Sequence, residues 1–137
     1  MPFRHTAAAA LVVAGLIASG CGGIVDPSKN TVDTFTGTLQ IGGSAAHAFS
    51  ASKTGEISVK VTALSPVSNT FIGLIWAQAA SDGNCGGNIG VLQQNNFAQM
   101  NIPAISGQIL SGKYCLFVYD VGAFTVAETY TVTVSHP

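Results

Sequence analysis

The segment "EISVKVTAL" (Glu56 to Leu64) decides the fold class of this chain. Ile57, Val59 and Val61 point to one side of an extended strand while Ser58, Lys60 and Thr62 point to the other, because side chains alternate across a β-strand. "TYTVTVS" (Thr129 to Ser135) repeats the pattern, with Tyr130, Val132 and Val134 opposite Thr129, Thr131 and Thr133. Each strand therefore has one apolar and one wet face, as in an antiparallel sheet packed on one side. By contrast, "GLIWA" (Gly73 to Ala77) and "YCLFVY" (Tyr114 to Tyr119) are apolar on both sides. That pattern suits central strands covered on both faces or lying under a loop.

The same period-two reading places strands at Phe35–Gln40, Ala46–Ala51, Glu56–Leu64, Phe71–Gln78, Ile89–Gln94, Ala98–Ile102, Ser106–Leu110, Lys113–Tyr119 and Thr129–Ser135. Turn signals separate them: Gly42-Gly43, Lys53-Thr54-Gly55, Ser65-Pro66, Asp82-Gly83-Asn84, Ser111-Gly112 and Val121-Gly122. No amphipathic helix of ordinary length interrupts the series. An all-β sandwich of about eight to nine short strands is the expected fold.

Composition narrows the function classes. Of 137 residues only 8% are charged, and five basic against six acidic side chains leave a net charge of −1. After Arg4 the cations are Lys29, Lys53, Lys60 and Lys113, each isolated, so no basic cluster exists to neutralise phosphates and nucleic acid is not an expected partner.

The N-terminal segment is of a different kind. Arg4 precedes an uncharged apolar run from Ala7 to Ile17, which gives way to small residues and then Cys21. About 12 apolar residues make a helix roughly 18 Å long, short of a bilayer core about 30 Å thick. The order of cationic, apolar and small residues is that of a secretory signal peptide. Ala18-Ser19-Gly20-Cys21 resembles the bacterial lipoprotein signal, although Ala18 stands where Leu is commoner. The resemblance implies cleavage after Gly20 and lipidation of Cys21, and a diacylglyceryl thioether supplies two chains, enough for stable anchoring. Gly22 after the cysteine implies release to the outer membrane if the source is diderm. The alternative is an ordinary secretory signal, which would leave a soluble secreted or periplasmic protein with Cys21 as a free thiol. "GGIVDPSKNTVD" (Gly22 to Asp33) reads as a tether.

From Phe35 to Ser135 the order of "FTGTLQIGGSAAHAFSASKTGEISVKVTAL", "IGLIWAQ", "LSGKYCLFVYDVG" and "TYTVTV" resembles the bacterial pre-peptidase C-terminal domain. The family's strand of the form G-x-Y-x-x-x-V-Y is matched by Gly112, Tyr114, Val118 and Tyr119, whereas an aspartate frequent before its early aromatic strand is replaced by Ala46-His47-Ala48. The resemblance implies a jelly-roll-like sandwich serving as an accessory, adhesive or targeting module, often without catalysis.

Of the residues that could carry chemistry, Cys85 and Cys115 are expected to form a disulfide once Cys21 is lipidated, since the compartment is oxidising. No C-x-x-C or H-x-x-x-H spacing suggests zinc, and no G-x-S-x-G elbow, H-E-x-x-H or P-loop is present. No cofactor is expected. His47, beside two alanines, reads as a surface or half-buried strand residue, and His136, being penultimate, is expected to fray. Asp82 and Asp120 are weak calcium candidates if the disulfide draws their loops together, and both equally suit turns. Trp76, Phe97 and Phe124 are the rings considered for ligand contact, with Trp76 read as core and Phe97 and Phe124 as the more exposed.

The expected organisation is a signal peptide at 1–20, lipidated Cys21 and tether at 21–33, and the sandwich at 34–137. The expected function is a non-enzymatic cell-envelope module with a binding, adhesive or structural role and an envelope protein or polysaccharide as ligand. A carbohydrate- or matrix-binding module is one alternative. A small hydrolase or protease-associated regulator, requiring His47 near a serine and a carboxylate, is another.

Overall fold

The computed structural model describes residues 27–87 and 89–137. The signal peptide and the lipidation site Cys21 lie outside the described residues.

After a single 3-10 turn (Pro27–Lys29), eight strands follow: β1 (Thr31–Leu39), β2 (Ser44–Ala51), β3 (Gly55–Ser65), β4 (Ile72–Gln78), β5 (Gly90–Ala98), β6 (Pro103–Ile109), β7 (Gly112–Tyr119) and β8 (Glu128–His136). They form two four-stranded antiparallel sheets in the orders β1-β8-β3-β6 and β2-β7-β4-β5. Strand pairs β1/β8, β2/β7, β3/β6 and β4/β5 make the chain a folded-back ribbon rolled into a sandwich, which is the jelly-roll arrangement.

Alternation supplies the core. Ile57, Val59 and Val61 of β3 and Tyr130, Val132 and Val134 of β8 are buried from one sheet, and meet Leu74, Trp76, Leu116 and Val118 from the other. In β3, Leu64 is out of phase with the row before it. The register shift between Val61 and Ala63 turns it back inward, so the bulge keeps a tenth strand residue in the core.

Two boundaries differ from expectation. Ile89–Gln94 and Ala98–Ile102 are not separate strands. The amide-rich run stays paired with β4 through Asn95 and Ala98, bulges absorb the mismatch, and the chain turns only at Asn101, where φ is 66°. Asn tolerates that left-handed geometry better than most residues, and its N–H is held by Val61 O at 2.7 Å. The first strand begins at Thr31, inside the span 21–33 read as tether, because Thr31, Val32 and Asp33 pair with His136, Ser135 and Val134.

That pairing also corrects the expectation for His136. Its ring is 3% exposed and does not lie on a frayed end: Nε2 meets Asp33 Oδ2 at 3.0 Å and the ring packs 5.3 Å from Phe49. His136 and Glu128 close the inward row of β8 at its two ends. Glu128 is 1% exposed, and its two carboxylate oxygens accept from Val67 N at 3.1 and 3.2 Å, which fastens the β3–β4 loop to the sandwich. Replacing Glu128 by Ala leaves that N–H without its acceptor. Urea unfolding should show a loss of about 1–2 kcal/mol.

Candidate functional site

Sheet β2-β7-β4-β5 has an outer face of unusual composition for a surface exposed to water. Phase assigns Cys115, Phe117 and Tyr119 of β7, and Gly73, Ile75 and Ala77 of β4, to that face, since Leu116, Val118, Leu74 and Trp76 point into the core. The lower part is covered. Cys115 is bonded to Cys85 and Ala77 is its cross-strand partner; both are fully buried beneath the 79–87 loop. The loop is itself tied to β7 by Ala79 N to Lys113 O at 3.0 Å and closed on itself by Gly83 N to Ala80 O at 2.8 Å. Asp82 accepts from Asn84 N and Nδ2, bonds that hold its carboxyl below the ordinary value.

The upper part of the face is open. There a groove of about 430 Å³ has Ile75, Phe117 and Tyr119 as floor, Ile89 and Gln94 on one side, and Gly42, Gly43, Ser44 and Asp120 on the other. Its size falls in the range of small-ligand sites, roughly 300–1,000 Å³.

The floor is flat for a specific reason. Gly73 pairs with Tyr119, and a Cβ on Gly73 would lie 2.3 to 2.7 Å from the ring's Cζ and Cε atoms. Only the missing side chain lets the tyrosine ring lie against β4. The ring is then fixed at its hydroxyl, which accepts from Gln94 Nε2 at 2.7 Å and donates to Asn96 Oδ1; Gln94 Nε2 also reaches Asn96 Oδ1 at 2.9 Å. Beyond Asn96 stand Phe97, 73% exposed, and Phe71, whose rings meet edge-on at 5.8 Å.

Asp120 shapes the far wall. Its Oδ2 accepts from Gly42 N at 2.8 Å, and Oδ1 from Gly122 N, Ala123 N and Phe124 N at 2.8, 2.9 and 3.2 Å. Gly42 has φ 69°, a conformation glycine adopts without strain, and this aims its N–H at the carboxylate. Desolvation acts to raise the Asp120 pKa, but the four backbone donors outweigh it and hold the carboxyl below the ordinary 3.8. A depressed pKa in the folded state gives a contribution that is full above 3.8 and disappears as pH falls through the folded value. Asp120→Ala should cost about 1–2 kcal/mol at pH 7, modest because the carboxylate is well solvated. Urea unfolding of the variant should show less acid-dependent loss than the parent.

The other residues singled out in the sequence are distributed as follows. Trp76 and Phe124 are each 6% exposed and belong to the core, so neither ring faces a ligand; Phe97 does stand in solvent. Trp76 packs 5.7 Å from Tyr114, and its Nε1 has no hydrogen-bond partner among the described residues. Asp82 and Asp120 lie at opposite ends of the sheet, near Lys113 and beyond Tyr119 on β7, so the disulfide does not bring them to one cation. Among the described residues no three His, Cys, Asp or Glu side chains cluster as metal ligands. His47 faces inward, stacks 4.6 Å from Phe35, and meets the Tyr130 hydroxyl through Nε2 at 2.7 Å, rather than the serine and carboxylate a hydrolase would need. Burial lowers its pKa. Ile75, Phe117 and Gln94 were not singled out by their sequence pattern, and Tyr119 only as the end of the G-x-Y-x-x-x-V-Y strand, although the outward phase of "CLFVY" does place Phe117 and Tyr119 on one side.

No protein-family model matches this chain, and no curated protein sequence matches it. Solved structures that this chain is similar to include the following. One is the Yersinia pseudotuberculosis-derived mitogen, 18% identical, with a TM-score of 0.56 over 79% of this chain and 87% of that one. Another is Aeromonas hydrophila PliG, a periplasmic lysozyme inhibitor of g-type lysozyme, 17% identical, with a TM-score of 0.49 over 79% of this chain and 88% of that one.

Proposed function

We propose that this protein is a non-catalytic binding module of the cell envelope, anchored through lipidated Cys21, whose binding face is the upper half of the outer surface of β2-β7-β4-β5. The observation that carries this reading is the groove: an apolar, partly aromatic floor bordered by amide, hydroxyl and backbone groups, open to solvent and not needed to close the core. Ligand sites have that mixture of apolar area with a few fixed polar groups. The Cys85–Cys115 disulfide supports residence in an oxidising compartment.

The path of the chain supports the anchored reading. β1 enters at Thr31, opposite His136, and leaves at Leu39, opposite Glu128, just before Gly42. Thr31 thus lies at the end of the sandwich away from Asp120, Phe71 and Phe97, and an anchor joined there would leave the groove facing away from the membrane. The resemblance to pre-peptidase C-terminal domains is in keeping with an accessory role of this kind.

The test has two parts. Metabolic labelling with a lipid precursor should mark the protein and not its Cys21→Ser variant; an unlabelled parent would overturn the anchor. Isotope-labelled protein titrated separately with the polysaccharide and protein fractions of solubilised envelope should shift the amide resonances of Gly43, Ile75, Gln94, Phe117 and Tyr119. Shifts confined to other faces, or none, would overturn the binding face.

A further inference from the structure

Resting on the groove as the binding face, we infer that its ligand is an uncharged glycan, held by one sugar ring stacked on Tyr119 and by paired hydroxyls on the Gln94 and Asn96 amides.

Charge is the first constraint. Among the described residues the cations are Lys29, Lys53, Lys60 and Lys113, and none lines the groove. Its one carboxylate, Asp120, already accepts from four backbone N–H groups. A phosphate, a sulfate or an acidic sugar would find no counter-ion there, and a cationic ligand would meet a carboxylate whose oxygens are already engaged. Neutral ligands are left.

Shape is the second constraint. Gly73 removes the side chain that would lift Tyr119, so the ring lies flat on the sheet and offers its other face to the groove. A flat, fixed ring matches the C–H face of a pyranose, and an aromatic surface of this kind supplies large contact area with few rotamers to freeze.

Hydrogen-bonding capacity is the third. The Gln94 and Asn96 side chains spend one amide group each on the tyrosine hydroxyl and on each other. That leaves the Gln94 Oε1 acceptor and the Asn96 Nδ2 donor uncommitted, on two side chains that meet at the tyrosine hydroxyl next to the groove, and sugar hydroxyls, which both donate and accept, complement such a pair.

An extended peptide fits less well. β4 and β7 are paired on both sides within the sheet, so no backbone edge is open on the floor of the groove for a strand to be added.

Titration of the isotope-labelled protein with chitotetraose, cellotetraose and maltotetraose, and with tetragalacturonate as the anionic comparator, tests the inference. At least one neutral tetramer should give saturable shifts at Gln94, Asn96, Phe117 and Tyr119, and the acidic one should bind at least tenfold more weakly. Tyr119→Phe keeps the ring and should lose a few-fold in affinity. Gln94→Ala, an exposed substitution on edge strand β5 that does not threaten folding, should lose tenfold or more. If the neutral tetramers move none of these resonances while an envelope protein fraction does, the glycan is wrong and the binding face stands. If no ligand moves them, both readings fall. Equal binding of the acidic tetramer, or an unaltered affinity in Gln94→Ala, would also overturn the glycan assignment.

Discussion

Removing both Cys85 and Cys115 as alanines should lower stability by about 3–4 kcal/mol, the entropy that a bridge across 30 residues withdraws from the unfolded chain. For a domain of this size the loss corresponds to roughly 15 °C in Tm. The local consequence is as distinct as the global one. Cys115 is at the covered part of the outer face, and the bridge is what holds the 79–87 loop over it and over Ala77. Ile89, which follows that loop, forms part of the groove wall. The double variant should therefore expose the amides of Ala77 and Cys115 to hydrogen exchange well before those of Val132 and Val134, which are buried between the sheets. Uniform acceleration across the domain, or a Tm within a few degrees of the parent, would show that the loop is held by its backbone hydrogen bonds and not by the disulfide.

The two sheets were legible because the chain writes its core in period two. "EISVKVTAL" and "TYTVTVS" carry the signal in the alternation itself, and "GLIWA" and "YCLFVY" carry it in being apolar on both faces: β4 and β7 are the central strands of their sheet, one end of it under a loop. The boundary that misled, between Gln94 and Ala98, lies where polar amides face outward on an edge strand. Alternation fades there because neither side of Gln93–Asn96 is wholly buried, and only the pairing with β4 keeps the strand continuous. His136 misled for another reason. Sequence position suggested a free end, whereas a partner 103 residues away, Asp33, holds the ring in place, and no local pattern encodes that distance.

The groove was less legible than the sheet that bears it. Its floor needs Tyr119 and Gly73 to be neighbours, and they are 46 positions apart in the chain but opposed in the β4/β7 register. A glycine in a central strand reads locally as a weak point or a bulge. Only the register shows that it is a seat for a ring. The same device recurs on the inner side of the other sheet, where Gly37 opposes Tyr130 and a Cβ at Gly37 would lie 2.6 Å from the Tyr130 hydroxyl that holds His47. Exposed aromatics such as Phe97 can be guessed from a polar neighbourhood; rings laid flat over a distant glycine cannot.

Gly73→Val is consequently the substitution expected to couple stability most directly to binding. Its Cβ would overlap the Tyr119 ring, with contacts of 2.3 to 2.7 Å where ordinary packing needs well over 3 Å, and backbone pairing on both sides prevents β4 from moving away. The ring must swing off the sheet, losing its bonds to Gln94 and Asn96. Overpacking of this kind costs about 3 kcal/mol, near the upper end of its usual range. A compensated pair separates the two consequences. In Gly73→Val with Tyr119→Ala the clash is gone, so most of the lost stability should return on urea unfolding, while the flat ring, and with it the response of the groove to ligand, should not. Recovery of both would mean that ligand does not rest on Tyr119. Recovery of neither would mean that β4 tolerates no side chain at this position for reasons other than the ring, such as its covered place between β7 and β5.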